Sequence, residues 1–188
     1  RTLADSDALA AALRNLAVID GSLGNYARAE ACYEESLAIF QAAGDQAWIG
    51  RVLNNLGELA RIRGDYARAV ILHEQSLAIF RALDDKTVMT WTLYSLGQAA
   101  REAGDRLDRA SAFFVESLTL FRELAGTVGI AYCLAGLGEV AQARGWPDRA
   151  ARLFGAVDAL LAAAGAHFWP TDHQGYETAV AAARAALE

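Results

Sequence analysis

The chain has 188 residues, 54% of them hydrophobic and 21% charged, with only 2 Pro, so it can bury a core and is not disordered. Its 17 basic and 23 acidic residues give a net charge of -6, which argues against a nucleic-acid-binding surface. No apolar run approaches the roughly 20 residues of a membrane helix. The two cysteines, Cys32 and Cys133, show no disulfide or metal spacing, and we expect a cytoplasmic protein. Because the chain opens on Arg1 rather than Met, we also expect it to be part of a longer one.

A short motif recurs along the chain with a period of 40 or 41 residues. It reads Gly-Asn-Tyr-Ala-Arg-Ala from Gly24 and returns in altered form from Gly64, Gly104 and Gly145. A second marker, Ser-Leu-Ala-Ile-Phe at 36–40 and 76–80, returns as Ser-Leu-Thr-Leu-Phe at 117–121. Two independent markers with one period predict four repeats, at about 5–44, 45–84, 85–125 and 126–165.

Each repeat holds two helical patterns on either side of its glycine. In the second repeat, Leu53 and Leu56 follow the spacing of one apolar helix face. Asp45 is placed to cap the start of that first helix. The equivalent capping positions in the next two repeats are Asp85 and Thr127.

The glycine is expected to form the turn between the two helices. Gly64 permits a left-handed backbone, and Asp65 is placed to cap the second helix. Pro147 falls in the first turn of the last second helix, where proline costs least. The caps equivalent to Asp65 are Asn25 and Asp105.

Small and large residues alternate between the paired helices at fixed positions. The first helix carries a leucine followed by a small residue, at Leu16-Ala17, Leu56-Gly57, Leu96-Gly97 and Leu137-Gly138. The second helix carries a small residue at Ala29, Ala69, Ala110 and Ala150, and a large one at Tyr33, His73, Phe114 and Phe154. In these positions the chain resembles the tetratricopeptide repeat family, in its roughly forty-residue form. The resemblance implies an all-α fold: a right-handed α-α superhelix, or TPR-like solenoid, of four helix pairs plus a C-terminal capping helix.

The last repeat and the tail depart from this pattern. Asp158 stands where the earlier repeats have leucine, which indicates that the last repeat faces something different. We expect a capping helix at about 172–187 and a single domain over 1–188. The tail is similar to the end of the helical arrays in bacterial STAND ATPases and in LuxR- or SARP-type transcription regulators. That resemblance implies a downstream repeat sensor that switches an upstream nucleotide-binding module, although this chain has no phosphate-loop motif.

The side of each first helix opposite its apolar face is predicted to line a concave binding surface. Arginine and aromatic side chains there are typical anchors for a peptide or a partner helix. For the charged side chains the alternative is a solvated face. Trp91 and Tyr94 are expected either to bind a partner or to pack against a neighbouring helix. The predicted partner-binding residues are Arg14, Arg51, Asn54, Glu58, Arg61, Trp91, Tyr94, Gln98, Arg101, Tyr132 and Glu139.

No residue pattern indicates catalysis, a metal or a cofactor. His73 aligns with aromatic packing residues and is expected to fill the core. His167, Asp172 and His173 are better explained by a linker and a helix cap than by a metal site, which would need defined geometry. We therefore expect no enzyme activity and no cofactor.

The sequence favours a protein or peptide recognition module, the sensor or interaction segment of a larger bacterial signalling or transcriptional regulator. Its partner would be another protein or another part of the same chain, with no direct nucleic-acid or membrane contact. One alternative is a stand-alone adaptor that scaffolds a complex or forms a homodimer. A second alternative is a small-molecule sensor with a closed pocket near Trp91 and Tyr132.

Overall fold

The computed structural model describes residues 3–104, 107–168 and 170–187, without the side chains of 3–7 and 170–174. Within these ranges every regular element is an α-helix, so the predicted all-α fold class is confirmed. The helices are α1 (Leu3–Ser22), α2 (Tyr26–Ala43), α3 (Gln46–Ile62), α4 (Tyr66–Ala82), α5 (Lys86–Glu102), α6 (Leu107–Glu123), α7 (Thr127–Ala143), α8 (Pro147–Ala164) and α9 (Pro170–Ala185).

The helices form two compact units, Arg1–Asp85 and Lys86–Glu188. In the first unit α1 pairs with α2, α3 pairs with α4, and α2 packs on α3. In the second unit α5 pairs with α6 and α7 with α8, while α7 also contacts α5 and α6. The last helix, α9, packs on α7 and α8. One continuous array over residues 1–188 stays a prediction.

The expected turns and caps are largely present. Gly64 has a φ of +80°, and the side chains of Asp45 and Asp65 accept hydrogen bonds from the backbone N–H groups of Trp48 and Arg68, each at 3.1 Å. Pro147 is the first residue of α8, as predicted.

Other predicted caps differ. Asn25 is the N-cap residue of α2 as predicted, but its side chain makes no capping bond, and its Nδ2 lies 3.4 Å from Oδ1 of Asp20 instead. Thr127 is the first residue of α7, after the N-cap Gly126. For Asp85 the structure shows only that α5 begins at the next residue. Asp105 lies outside the described residues.

The small residues of the first helices make room for the large residues of the second helices. A Cβ atom on Gly57 would lie 2.8 Å from the His73 ring, and one on Gly97 would lie 2.7 Å from the Phe114 ring. Contacts this short are not tolerated, so the two antiparallel helices can approach only where a side chain is absent. His73 is fully buried, in the packing position expected for it.

The serine of the second repeated marker joins the two helices of a hairpin. The buried hydroxyl of Ser36 donates to the carbonyl oxygen of Ala10 at 2.8 Å. Ser76 donates in the same way to Gly50, at 2.8 Å, and Ser117 to Thr90, at 2.7 Å. The marker therefore recurs because each hairpin places a buried donor opposite a helix carbonyl group.

The ninth helix explains the exceptional residue of the last repeat. The Tyr176 hydroxyl of α9 lies 2.7 Å from Oδ1 of Asp158 and 3.0 Å from the carbonyl oxygen of Phe154. A leucine at position 158 could not accept that hydrogen bond. The helix runs from Pro170 to Ala185, two residues earlier than predicted at each end. Among the described helices, none combines the length and the hydropathy that a membrane span requires.

Candidate functional site

The first unit presents a polar surface, the first-unit face, made of Arg14, Arg51, Asn54, Glu58 and Arg61. Arg51, Asn54, Glu58 and Arg61 follow helical spacing along one side of α3, and Arg14 lies on α1. Arg61 forms a two-point ion pair with Glu58, with Nε 3.0 Å from Oε2 and an Nη atom 2.7 Å from Oε1. The pair preorganises a guanidinium group on a half-buried surface.

A buried histidine lies beneath this face. Nδ1 of His73 is 3.0 Å from Oδ1 of Asn54. Burial lowers the pKa of His73 to about 4, so the ring is neutral at pH 7 and donates its Nδ1 proton to Asn54. Burial alone would raise the pKa of Glu58, but the hydrogen bonds and charge of Arg61 outweigh it and hold that pKa below its usual value. The Glu58–Arg61 pair is therefore ionised above a neutral ring.

The remaining two arginines of the first-unit face are held by an aromatic ring. The guanidinium carbon of Arg14 lies 5.1 Å from the ring centroid of Trp48, and that of Arg51 lies 5.7 Å from it. Trp48 itself stacks on Phe40, with centroids 5.4 Å apart. From the sequence, Trp48 is expected to cover a repeat junction rather than to bind, and its stacking on Phe40 of α2 fits that position; its contacts with Arg14 and Arg51 were not expected.

The second-unit face consists of Trp91, Tyr94, Gln98, Arg101, Tyr132 and Glu139. Its aromatic members pack on one another rather than standing open. The Trp91 ring centroid lies 6.0 Å from that of Tyr94, 5.0 Å from Phe121 and 5.7 Å from Tyr132. Packing against neighbouring helices, one of the two predictions for Trp91 and Tyr94, is therefore observed, while both rings remain partly exposed and partner binding stays a prediction.

Tyr132 requires a correction. It was expected to face the binding surface, but only 2% of it is exposed. Phe168, in the connection between α8 and α9, covers its ring at a centroid distance of 4.6 Å, edge to face. The sequence pattern could not reveal this cover, because Phe168 lies outside the repeat. The Trp91 and Tyr132 rings contact each other edge to face, with centroids 5.7 Å apart, at the place where a closed effector pocket was expected.

The polar members of the second-unit face form a connected network. Nε2 of Gln98 donates to the Tyr94 hydroxyl at 2.8 Å, and Nε of Arg101 donates to Oε1 of Gln98 at 3.1 Å. The same Nε lies 3.0 Å from Oε2 of Glu139, and an Nη atom of Arg101 lies 3.2 Å from Oε1 of Glu102. This network joins α5 to α7 and fixes the Arg101 side chain, which is one-quarter exposed.

An open groove adjoins this network. It has a volume of about 700 Å³ and is bordered by α5, α7 and α9. Small residues line the α9 side, so a partner backbone can approach closely there. The lining residues are Arg101, Glu139, Gln142, Ala143, Gly175, Thr178, Ala179 and Ala182. The structure thus brings Arg101 and Glu139 together beside a helix that lies outside the repeats.

A second cavity, of about 570 Å³, lies between α8 and α9. Leu161, Phe168 and Val180 line it, with Asp158 and Arg184 among its polar residues. Burial, and then the neighbouring Asp158 carboxylate, raise the pKa of Tyr176 far above its usual value, so its hydroxyl stays protonated. The hydroxyl acts as a structural hydrogen-bond donor that holds α9 in place.

The Cys, His, Asp and Glu side chains that the structure describes are not arranged for nucleophilic or metal chemistry. The buried Cys133 thiol lies 3.2 Å from the Ser117 hydroxyl, and burial raises its pKa to about 12. Within the described residues, no group of three His, Cys, Asp or Glu side chains is placed to hold a metal ion. The side chains of Asp172 and His173, considered as ligands above, lie outside the described residues.

The comparisons with known proteins agree with the assignment of the fold to the class of helical repeat proteins. Residues 8–82 match the tetratricopeptide repeat family model. A comparison with curated proteins finds no match.

Several solved structures are similar to the chain. BtubC (BKLC) from P. vanneervenii is 21% identical, with a TM-score of 0.77, over 87% of this chain and 67% of that one. A Podosopora anserina protein with nearly identical TPR-like repeats is 17% identical, with a TM-score of 0.71, over 97% and 96%. Aspartyl phosphate phosphatase F from Bacillus subtilis is 12% identical, with a TM-score of 0.65, over 97% and 50%. At these identities the likeness establishes the fold, and with the family match it supports a tetratricopeptide repeat array, a fold that suggests a protein-interaction module.

Proposed function

We propose that the chain is a non-catalytic recognition module that binds an extended peptide segment of a partner protein in the groove beside Arg101. The observation that carries this proposal is the groove of about 700 Å³ between the Arg101–Glu139 pair and the small residues of α9. A fixed guanidinium group next to a surface that admits a peptide backbone is a typical recognition arrangement. Gln142 and Thr178 add polar groups that can pair with main-chain amides.

The broader setting that we propose is the interaction segment of a larger bacterial regulator. It is supported by the resemblance of the tail to the ends of such arrays, and the partner would then include other parts of the same protein. A cytoplasmic location is supported by Cys32 and Cys133, which are both free thiols. The acidic net charge supports a partner other than nucleic acid. The adaptor alternative, with scaffolding or homodimerisation, uses the same groove but needs no further domain.

The test begins with peptides selected from a random dodecamer library on the wild-type chain, whose binding is then measured by fluorescence anisotropy. We expect Arg101→Ala to weaken binding about tenfold or more, since an anchoring arginine is lost. Ala182→Trp, which fills the groove from α9, should abolish binding. Arg122→Ala, an exposed position on α6, serves as the control and should leave binding unchanged.

A second matched control separates the two cavities. Ala181→Trp adds the same bulk one residue away, where it fills the space between α8 and α9 instead. Loss of binding in Ala181→Trp but not in Ala182→Trp would place the site in the other cavity and contradict the proposal. A library that yields no binder would contradict it as well. Circular dichroism of each variant checks that the helices remain intact.

A further inference from the structure

In the hairpin of α3 and α4, two arginines beside the turn hold a carboxylate of the preceding helix. Arg63 and Arg68 both contact the Glu30 side chain of α2, with an Nη atom of Arg63 2.5 Å from Oε2. The hydrogen bond from Arg68 is the largest of the effects that hold the pKa of Glu30 below its usual value. The geometry of this arginine pair is therefore suited to binding an ionised carboxylate.

The hairpin of α7 and α8 keeps both arginines but lacks that carboxylate. The equivalent arginines are Arg144 and Arg149, and the preceding helix is α6, which packs on α7 as α2 packs on α3. Ser111 of α6 stands at the position of Glu30. Arg144 contacts Asp108 of α6 instead, whereas Arg149 makes no ion pair among the residues that the structure describes.

An exposed tryptophan contacts both of these arginines. The guanidinium carbon of Arg144 lies 5.1 Å from the ring centroid of Trp146, and that of Arg149 lies 5.6 Å from it. Trp146 is 44% exposed and occupies the N-cap position of α8, where its side chain makes no capping bond. The equivalent residue Asp65 does cap its helix. The chain thus gives up a helix cap for an exposed ring, and such a departure from a local rule is typical of a functional position.

The other carboxylates beside the first arginine pair are replaced as well. They are Glu34, which lies 3.8 Å from Arg68, and the cap residue Asp65. The equivalent positions hold the uncharged residues Val115 and Trp146. Val115 is 50% exposed, and Arg152 adds a further exposed cation on α8. The surface combines apolar area with positive charge, and we call it the Arg–Trp patch, made of Val115, Arg144, Trp146, Arg149 and Arg152.

We propose that the Arg–Trp patch is an interaction surface for an acidic segment of a partner protein. A glutamate or aspartate side chain of that segment accepts hydrogen bonds from Arg144 and Arg149, in the place that the α2 carboxylate occupies in the other hairpin. An apolar neighbour in the segment packs on Trp146 and Val115. Tryptophan and arginine are the residue types that most often dominate the binding energy of protein interfaces. The groove beside Arg101 is lined by other residues, so this surface does not depend on the proposed function.

The test uses peptides from a random dodecamer library that is first depleted on the Trp146→Asp variant and then selected on the wild-type chain. Trp146→Asp copies Asp65, so the helix cap should return and the urea midpoint should stay equal or rise. The groove beside Arg101 is intact in this variant, so the depletion removes peptides that bind there. We expect the remaining peptides to be rich in glutamate and aspartate.

Binding of these peptides is measured by fluorescence anisotropy. Arg149→Ala should weaken it about tenfold or more, because a charge-assisted contact to the peptide carboxylate is lost. Arg122→Ala, an exposed position near the other end of α6, is the control and should leave binding unchanged.

A matched pair of substitutions tests the carboxylate directly. Ser111→Glu copies Glu30 and places a carboxylate of the chain itself beside Arg149. It should occupy the patch and weaken peptide binding about tenfold or more, whereas the neutral Ser111→Gln should change binding less than about twofold. Equal binding by the two variants would overturn the proposal, because a carboxylate site must be blocked by a carboxylate.

A single-stranded RNA dodecamer is the second probe, since a tryptophan beside arginines could also stack on a base. Asp108 and Asp148 offset part of the positive charge, and RNA binding requires many cationic contacts. We therefore expect no RNA binding at a salt concentration of about 150 mM. RNA binding that Arg149→Ala abolishes, selected peptides without acidic residues, or no selected peptide at all would each overturn the proposal.

Discussion

The second and third hairpins carry different chemistry at equivalent positions. On α3 these positions hold Arg51, Asn54 and Glu58, and on α5 they hold Trp91, Tyr94 and Gln98. Beneath them the large residue of the second helix also changes, from His73 to Phe114. Asn54 bonds to His73 at 3.0 Å, and Tyr94 packs on Phe114 at a centroid distance of 5.8 Å.

This difference shows that the two helices of a hairpin are matched to each other. A polar packing residue in the second helix has a polar neighbour in the first, because a buried ring nitrogen needs a hydrogen-bond partner. An aromatic packing residue has an aromatic neighbour, which gains contact area instead. The repeat therefore keeps its backbone geometry while its face changes from charged to aromatic.

The largest expected effect comes from replacing Trp91 with alanine. The same replacement at Arg51, the equivalent position of α3, serves as the comparison. Trp91→Ala removes three ring contacts within the second unit and should lower the free energy of unfolding by about 3 kcal/mol. Arg51→Ala removes an exposed side chain, and we expect a loss below about 0.5 kcal/mol. Urea unfolding followed by circular dichroism measures both. Similar losses would show that the two faces do not differ in structural role.

A smaller effect is expected for the pH dependence of stability, which comes from His73 in the hairpin of α3 and α4. The pKa of His73 falls from 6.5 to about 4 on folding, so between these values the unfolded state binds more protons. Stability should therefore fall by about 2 kcal/mol as the pH drops from 7 to 5. His73→Phe, which copies the Phe114 position, should remove this loss.

The comparison of wild type with His73→Phe cancels the titration of the other groups common to both. Urea midpoints measured at pH 5, 6 and 7 are sufficient. If the difference in stability between wild type and His73→Phe is the same at pH 5 as at pH 7, the burial of a neutral ring is contradicted.

The smallest of these effects concerns α9, which distinguishes the second unit. Tyr176→Phe removes the hydroxyl that contacts Asp158 and should cost about 1 kcal/mol. Hydrogen exchange of α9 should then accelerate about fivefold, while α5 and α6 stay protected. Asp158→Leu, which restores the residue of the other repeats, should have the same effect on α9. Unchanged exchange in both variants would show that this hydrogen bond does not hold α9.

Most of the fold could be predicted from the sequence. The period, the turn glycines, the caps at Asp45 and Asp65 and the core position of His73 all follow from local patterns that recur in each hairpin. The repeat pattern also marked Asp158 as exceptional before its partner was known. Asn25 occupies the predicted N-cap position, but its side chain makes no capping bond, because such a bond depends on side-chain geometry as well as residue type.

The candidate site was less predictable. Spacing placed Arg101 and Glu139 on equivalent helix sides, and the structure brings them to 3.0 Å. Nothing in the spacing indicated that Phe168 would cover Tyr132, or that Trp48 would hold two arginines. These contacts join residues that are distant in sequence and differ from one repeat to the next.

The sequence by itself determined the helices, their pairing and which side of each helix is apolar, because these depend on contacts within one repeating hairpin. Only the tertiary structure decided which of the remaining sides are covered, which are exposed and where a groove remains. That outcome depends on the neighbours of each helix: α9 borders a groove beside Arg101, while Ile19 of α1 is exposed. Burial is a property of the assembled helices, so a repeat pattern cannot encode it position by position.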